Sequence, residues 1–268
     1  MIENWYEDVE AANYRAAAGN NSADQELGER VYTSRLIGQN PDLLMHGGGN
    51  TSVKVQRADL FGKIRDVLHV KGSGWDLDVI EAPGLPGVWL EPLTRLRALD
   101  SLSDESMVNY QRSNLLNSAS PNPSVETLLH AFLPHKYVDH THATPFLVLA
   151  NLPNAAEVCR EIFGKRLGIV PYIMPGFALA KKAVEVFETS GDLEGLILLK
   201  HGIFTFGESA REAYERMMSL VTLAETRLCG KRYDVFKSAQ IPSRVARTAD
   251  VAPILRGQLA VPETHEGT

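Results

Sequence analysis

From Tyr137 onward the chain alternates short apolar runs with longer helical patterns, and that alternation limits what it can fold into. Strand-like runs occur near Tyr137–His142, Gly168–Tyr172 and Leu196–Lys200. Between and after them lie helical patterns near 154–163, across 177–189 and over 209–228, joined by short polar segments. Such an order describes one α/β domain. The earlier part fits the same class. An amphipathic helix over about 24–37 places Leu27, Val31 and Ser34 on one face and stops at Asn40-Pro41. Strands are predicted near 51–55 and 66–70, a Pro/Gly-rich loop over 82–91, and helices starting near Ser103 and Ser124, with Ser124 as an N-cap. No linker-like tract precedes residue 237, so the expected organisation is a domain over 1–236 and a looser tail over 237–268.

Bulk properties narrow the function class. Across 268 residues, 44% are hydrophobic and 22% charged, ordinary for a soluble domain with a sizeable core. A formal net charge of −6 without any basic block argues against nucleic-acid binding. No apolar run approaches the ~18 residues of a membrane span. The N-terminus lacks the basic and apolar regions of a signal peptide, so a cytoplasmic location is expected. Cys159 and Cys229 read as buried thiols of a reducing compartment.

Three histidines carry the chemistry. His140 and His142 sit two apart in a strand pattern, so they point the same way and can grip one metal ion. His201 ends another apolar run before a glycine, and Glu126 precedes the pair by about one helix. Three neutral nitrogens, a carboxylate and an open position describe a catalytic zinc site. Taken singly, each residue has a plainer reading: a solvated histidine pair, a capped core histidine, a glutamate placed in a first helical turn by the dipole. His130 shares the helix face of Glu126 and reads as an ordinary surface pair with it. His46, His69, His135 and His265 read as structural or exposed.

Gly47-Gly48-Gly49-Asn50-Thr51 and Lys71-Gly72-Ser73-Gly74 match no nucleotide fingerprint. They are either anion-binding nests or tight turns, and the expected helix start at Ser124 adds a further anion-favouring element. No serine lies in a Gly-x-Ser-x-Gly elbow, and neither cysteine has the setting of a nucleophile.

Taken in order, Gly48-Gly49-Asn50-Thr51-Ser52-Val53, Lys71-Gly72-Ser73-Gly74, Ser124-Val125-Glu126, His140-Thr141-His142 and Lys200-His201-Gly202 resemble the class II aldolase/adducin family over about 25–230. The wording around 124–142 is similar to the aldolase half of bacterial rhamnulose-phosphate aldolase/dehydrogenase fusions, of which only the aldolase part is expected here. The resemblance implies an α/β/α sandwich around a mainly antiparallel sheet, a tetramer with sites between subunits, and a small sugar-phosphate substrate. It implies zinc, or another divalent metal, on His140, His142 and His201, with Glu126 as the catalytic carboxylate. Phosphate contacts fall on Asn50, Thr51, Ser73, Gly74 and Ser124. For the family's catalytic tyrosine, lent by a neighbouring subunit, Tyr172 is taken without a motif of its own. Val125 stands where many relatives carry a serine, which removes one phosphate hydrogen bond. The implied activity is reversible cleavage of a ketose 1-phosphate. A pentulose-phosphate 4-epimerase, a sugar-acid decarboxylase and a non-catalytic adducin-like module share the fold.

Overall fold

The computed structural model describes residues 2–229 and 246–259. The chain divides into two compact units, Met1–Gly230 and Lys231–Thr268. The expected boundary between 236 and 237, and His265, lie outside the described residues. In the second unit the described residues include one helix, Thr248–Leu259, with Pro253 inside it. Among the described residues no helix is long and apolar enough to cross a membrane.

In the first unit seven strands form one sheet: β1 (Asn50–Ala58), β2 (Ile64–Val70), β3 (Gly87–Trp89), β4 (Tyr137–Thr141), β5 (Leu167–Val170), β6 (Gly195–Leu198) and β7 (Gly202–Gly207). Their spatial order is β3-β2-β1-β4-β7-β6-β5. Every pairing is antiparallel except β5 with β6.

Side chains alternate across this sheet and feed two cores. Val53, Val55 and Val67 join one core with residues of α1 (Asp8–Ala18), α2 (Ser22–Gly38), α6 (Thr144–Ala150), α7 (Ala155–Phe163) and α9 (Ala210–Cys229). Leu68, Val70 and Val138 join the other with α3 (Leu90–Arg95), α4 (Asp104–Ser113), α5 (Thr127–Phe132) and α8 (Phe177–Ser190). Helices therefore cover both faces, and the architecture is the α/β/α sandwich around a mainly antiparallel sheet that was expected.

Several local expectations differ. The stretch 82–91 is more than a loop: Gly87, Val88 and Trp89 pair with β2, and α3 follows at once. That pairing is a tertiary choice which the prolines and glycines of the segment conceal. β7 and the seven-residue α6 were not anticipated: β7 is buried along its whole length and so has no alternation to reveal it, and α6 is barely two turns long. Cys159 is buried as expected, whereas Cys229 ends α9 exposed. Among the described residues one Arg–Asp ion pair lies wholly inside: Arg30 of α2 meets Asp139 of β4 at 2.6 Å, both side chains fully buried.

Candidate metal centre

β4 delivers the first two histidines at its C-terminal end. His140 lies within the strand and His142 just past it, with ring centroids 4.8 Å apart. The third comes from the tight turn joining β6 to β7, where Lys200 adopts a left-handed φ of 61°. A β-carbon on Gly202 would stand 2.4 Å from the Thr141 carbonyl oxygen and close to both the His140 and His142 rings. Only glycine lets β7 begin this close to the histidine pair.

Residue chemistry then sets the lone pairs. His140 Nδ1 lies 3.0 Å from the Ile203 carbonyl, which only a protonated nitrogen satisfies, so Nε2 is left bare. That Nε2 is 3.1 Å from His142 Nε2. Burial holds the His140 pKa well below its ordinary value, lowers that of His201 to about 4, and lowers that of His142. Each imidazole is thus neutral near pH 7, as a ligand must be. One nitrogen from each of the three lies within 4.8 Å of the others. Converging neutral nitrogens, one oriented by a backbone carbonyl through its far side, fit a divalent metal ion.

Glu126 faces the same point. Its Oε2 is 3.2 Å from His140 Nε2, and its Oε1 is 3.3 Å from His201 Nε2. Burial pushes its pKa up to about 7, against the opposing Asn50 hydrogen bond and the Lys71 charge. The expected helix start at Ser124 is corrected here. α5 begins at Thr127 with Glu126 as its N-cap, and Ser124, whose hydroxyl accepts the Glu126 N–H, belongs to the turn that precedes it. The Ser124 carbonyl in turn accepts both the Thr127 N–H and its hydroxyl. With six residues, α5 is too short to present an anion-binding terminus.

Asn50 donates to Glu126 Oε2 at 2.7 Å and to Ser124 Oγ at 3.1 Å, and its carbonyl oxygen meets His130 Nε2. His130, expected on the surface, is fully buried. Sequence periodicity paired it with Glu126; the contact it makes instead crosses to β1, which no local pattern reveals.

A cavity of about 540 Å³ opens beside Glu126 and His142. Gly47–Asn50, Lys71–Asp76, Val108 and Asn122–Val125 line it. Ser73, Gly74, Ser124 and Asn50 of the expected phosphate set are there; Thr51 is not. Thr51 points to the opposite face of β1, fully buried, with its hydroxyl 2.7 Å from Ser34 Oγ. The two glycine stretches are turns whose N–H groups are largely committed. Gly47 donates to Asp76, Gly48 to Met45, Gly72 to Gly84 and Ser73 to Asn122. Lys71 brings a cation to the rim, its ammonium donating to the Gly47 carbonyl at 3.2 Å, and burial lowers its pKa. Tyr172 is about half exposed, with its hydroxyl 3.0 Å from the Met174 sulfur, and does not line the cavity. Asn122, Trp75 and Val108 do, and no motif marked them.

Comparison with known proteins places these features. Residues 28–228 match the class II aldolase and adducin N-terminal domain. The Bacillus subtilis (strain 168) protein "Uncharacterized oxidoreductase YuxG" is 36% identical over 242 residues, covering 87% of this chain and 35% of that protein. The chain thus spans about a third of that relative's length. The N-terminal class II aldolase domain of a conserved Thermoplasma acidophilum protein superposes with a TM-score of 0.73 at 41% identity, covering 78% of this chain and 97% of that one. A sugar-phosphate aldolase from Thermotoga maritima shares the fold at 18% identity and TM-score 0.58, over 78% of this chain and 97% of that one.

Proposed function

The chain belongs to the class II aldolase and adducin family, and from that premise we propose that it is a zinc-dependent carbon–carbon lyase. Its reaction is the reversible cleavage of a ketose 1-phosphate, rhamnulose 1-phosphate or a close analogue, to dihydroxyacetone phosphate and an aldehyde. The observation that carries this reading is the convergence of three neutral imidazoles on one buried carboxylate at the wall of an open cavity.

His140, His142 and His201 hold the metal, and their all-nitrogen donor set suits zinc among divalent ions. Bound there, the ion supplies Lewis-acid stabilisation of the negative charge that builds on the ketose carbonyl oxygen, by several kcal/mol. Glu126 carries a proton to C3 in cleavage and removes it in condensation. A pKa near 7 suits a group that must do both at neutral pH. Lys71, Ser73, Gly74 and Ser124 face the cavity and anchor the phosphate. Lys71 replaces by charge what Val125 omits by lacking a hydroxyl. Tyr172, exposed on its own chain, takes the C4 hydroxyl proton in the site of a neighbouring copy within a tetramer. The resemblance to the aldolase half of aldolase/dehydrogenase fusions agrees with a relative that is named an oxidoreductase and is much longer than this chain.

Incubating zinc-loaded protein with a panel of ketose 1-phosphates, and assaying dihydroxyacetone phosphate together with the aldehyde, tests the proposal. Equimolar release of the two is expected. Conversion to a C4 epimer without cleavage, release of carbon dioxide from a keto acid alone, or no turnover of any ketose phosphate refutes it.

A further inference from the structure

Behind Glu126 runs a buried chain of polar groups whose direction can be worked out atom by atom. Ionised, Glu126 only accepts hydrogen bonds, so in that form the Asn50 atom 2.7 Å from its Oε2 is the amide nitrogen. The second N–H of that amide goes to Ser124 Oγ at 3.1 Å. Asn50 Oδ1 is left as an acceptor, and its partner is His130 Nε2, which must therefore carry the proton. Burial keeps His130 neutral, its pKa lowered to about 3, and a neutral imidazole has one N–H. Its Nδ1 is consequently bare and accepts from the Ser52 hydroxyl at 2.7 Å. Every bond runs one way: Ser52 to His130, His130 to Asn50, Asn50 to Glu126.

Strand geometry assembles the chain. Asn50 and Ser52 are two apart on β1 and share a face, and His130 reaches up between them from α5. Ser52 and His130 are fully buried, and Asn50 nearly so. Phe204 fixes the surroundings, meeting the His130 ring edge-on at 5.4 Å and stacking on the His140 ring at 4.1 Å. An unsupported asparagine amide turns over readily, because its oxygen and nitrogen ends have the same shape. Turned over, Asn50 would present its carbonyl to the carboxylate.

We propose that His130, oriented by Ser52, is a positioning residue that locks Asn50 and thereby assigns the two oxygens of Glu126. Oε2 is occupied by the Asn50 donor, while Oε1, 3.3 Å from His201 Nε2, accepts no hydrogen bond and is the oxygen left to exchange the proton with substrate. The catalytic part of this assignment rests on the lyase reading above; the orientation of the chain does not.

The test follows exchange of the C3 proton of dihydroxyacetone phosphate with deuterated water, by proton NMR, using the full chain loaded with zinc. His130→Phe keeps the ring but loses the donor, and should lower kcat by about 10- to 100-fold with little change in KM. His130→Gln returns an N–H towards Asn50 and should recover most of that loss. In a Glu126→Gln background, His130→Phe should change the residual rate by less than about 3-fold, since residues acting through one partner are non-additive. An equal loss in both backgrounds, or a glutamine variant no better than phenylalanine, overturns the proposal. Should the phenylalanine variant not fold, nitrogen-15 spectra of the wild type decide. An Nε2–H tautomer of His130 supports the chain, and an Nδ1–H tautomer overturns it whatever the activity. If wild type shows the Nε2–H tautomer yet exchanges no proton, the lyase reading fails and with it the catalytic assignment of Oε1, while the orientation stands.

Discussion

Replacing His69 by asparagine removes a titrating group from the sheet interior while leaving an amide able to reach the same carbonyl. His69 is 7% exposed on β2; its Nδ1 donates to the Leu85 carbonyl at 2.8 Å, and its Nε2 accepts from Arg57 Nε at 3.2 Å. Both contacts are satisfied by the neutral ring alone. Burial, helped by the Arg57 charge and opposed by the Leu85 hydrogen bond, lowers its pKa from 6.5 to about 4. Between those values the unfolded chain binds a proton that the folded chain refuses, so stability falls as pH drops through the window. The slope from this one group approaches ~1.4 kcal/mol per pH unit, or ~3 kcal/mol over the whole interval. Other buried histidines add to the total acid sensitivity, so the informative quantity is the difference between proteins. Urea unfolding of wild type and His69→Asn, with chelator present, from pH 7 to pH 4.5, measures it. The variant should lose less stability on acidification by about 1.4 kcal/mol per unit below pH 6.5, whatever its stability at pH 7. Parallel curves for the two proteins would refute the argument, by showing that His69 protonates as freely folded as unfolded.

Three further outcomes are expected at the site. His140→Ala, His142→Ala and His201→Ala should each bind less zinc by elemental analysis and lose cleavage activity; undiminished zinc in all three would place the metal elsewhere. Glu126→Gln should keep its zinc while cleavage falls by about 10²- to 10⁴-fold, because the amide matches the shape but cannot take a proton. Lys71→Met should weaken kcat/KM for a ketose 1-phosphate by about 10- to 100-fold, the worth of a hydrogen bond to a charged group, and hardly affect the dephosphorylated sugar. Equal losses on both substrates would mean that Lys71 supports the cavity wall and does not meet the phosphate.

How much of this could be read in advance depended on the kind of signal. Histidines are chemically conspicuous, and His140, His142 and His201 stand at strand ends in a fixed order, so their convergence was visible before the fold was. That the chain is an α/β domain followed from alternating strand and helix patterns, because each pattern reports local periodicity; the antiparallel sandwich came only with the family resemblance. Signals carried by pairing were hidden. β3 is three residues inside a Pro/Gly-rich stretch, and it exists because β2 offers it an edge. Thr51 was grouped with Asn50 by wording, although neighbours in a strand face opposite ways; the alternation rule already on hand separates them. Ser124 looked like a helix cap since serine often is one; its hydroxyl does accept the Glu126 N–H, but within a turn, and the helix starts only at Thr127. His130 was the furthest from legible, as its role needs β1 and α5 at once.

The ion pair between Arg30 and Asp139 has a consequence for the histidines on the other side of β4. Asp139 and His140 are adjacent, so they project to opposite faces, one towards Arg30 of α2 and the other towards Glu126. A slip of β4 by one position would swap them. The guanidinium would then meet an imidazole, and the carboxylate would be stranded beside Phe204, each charge left buried without its counterpart. Removing one member of a buried pair costs about 3–5 kcal/mol. Two opposite charges far from any substrate thus act as a keyway for the strand, admitting the single alignment in which His140 and His142 arrive beside His201.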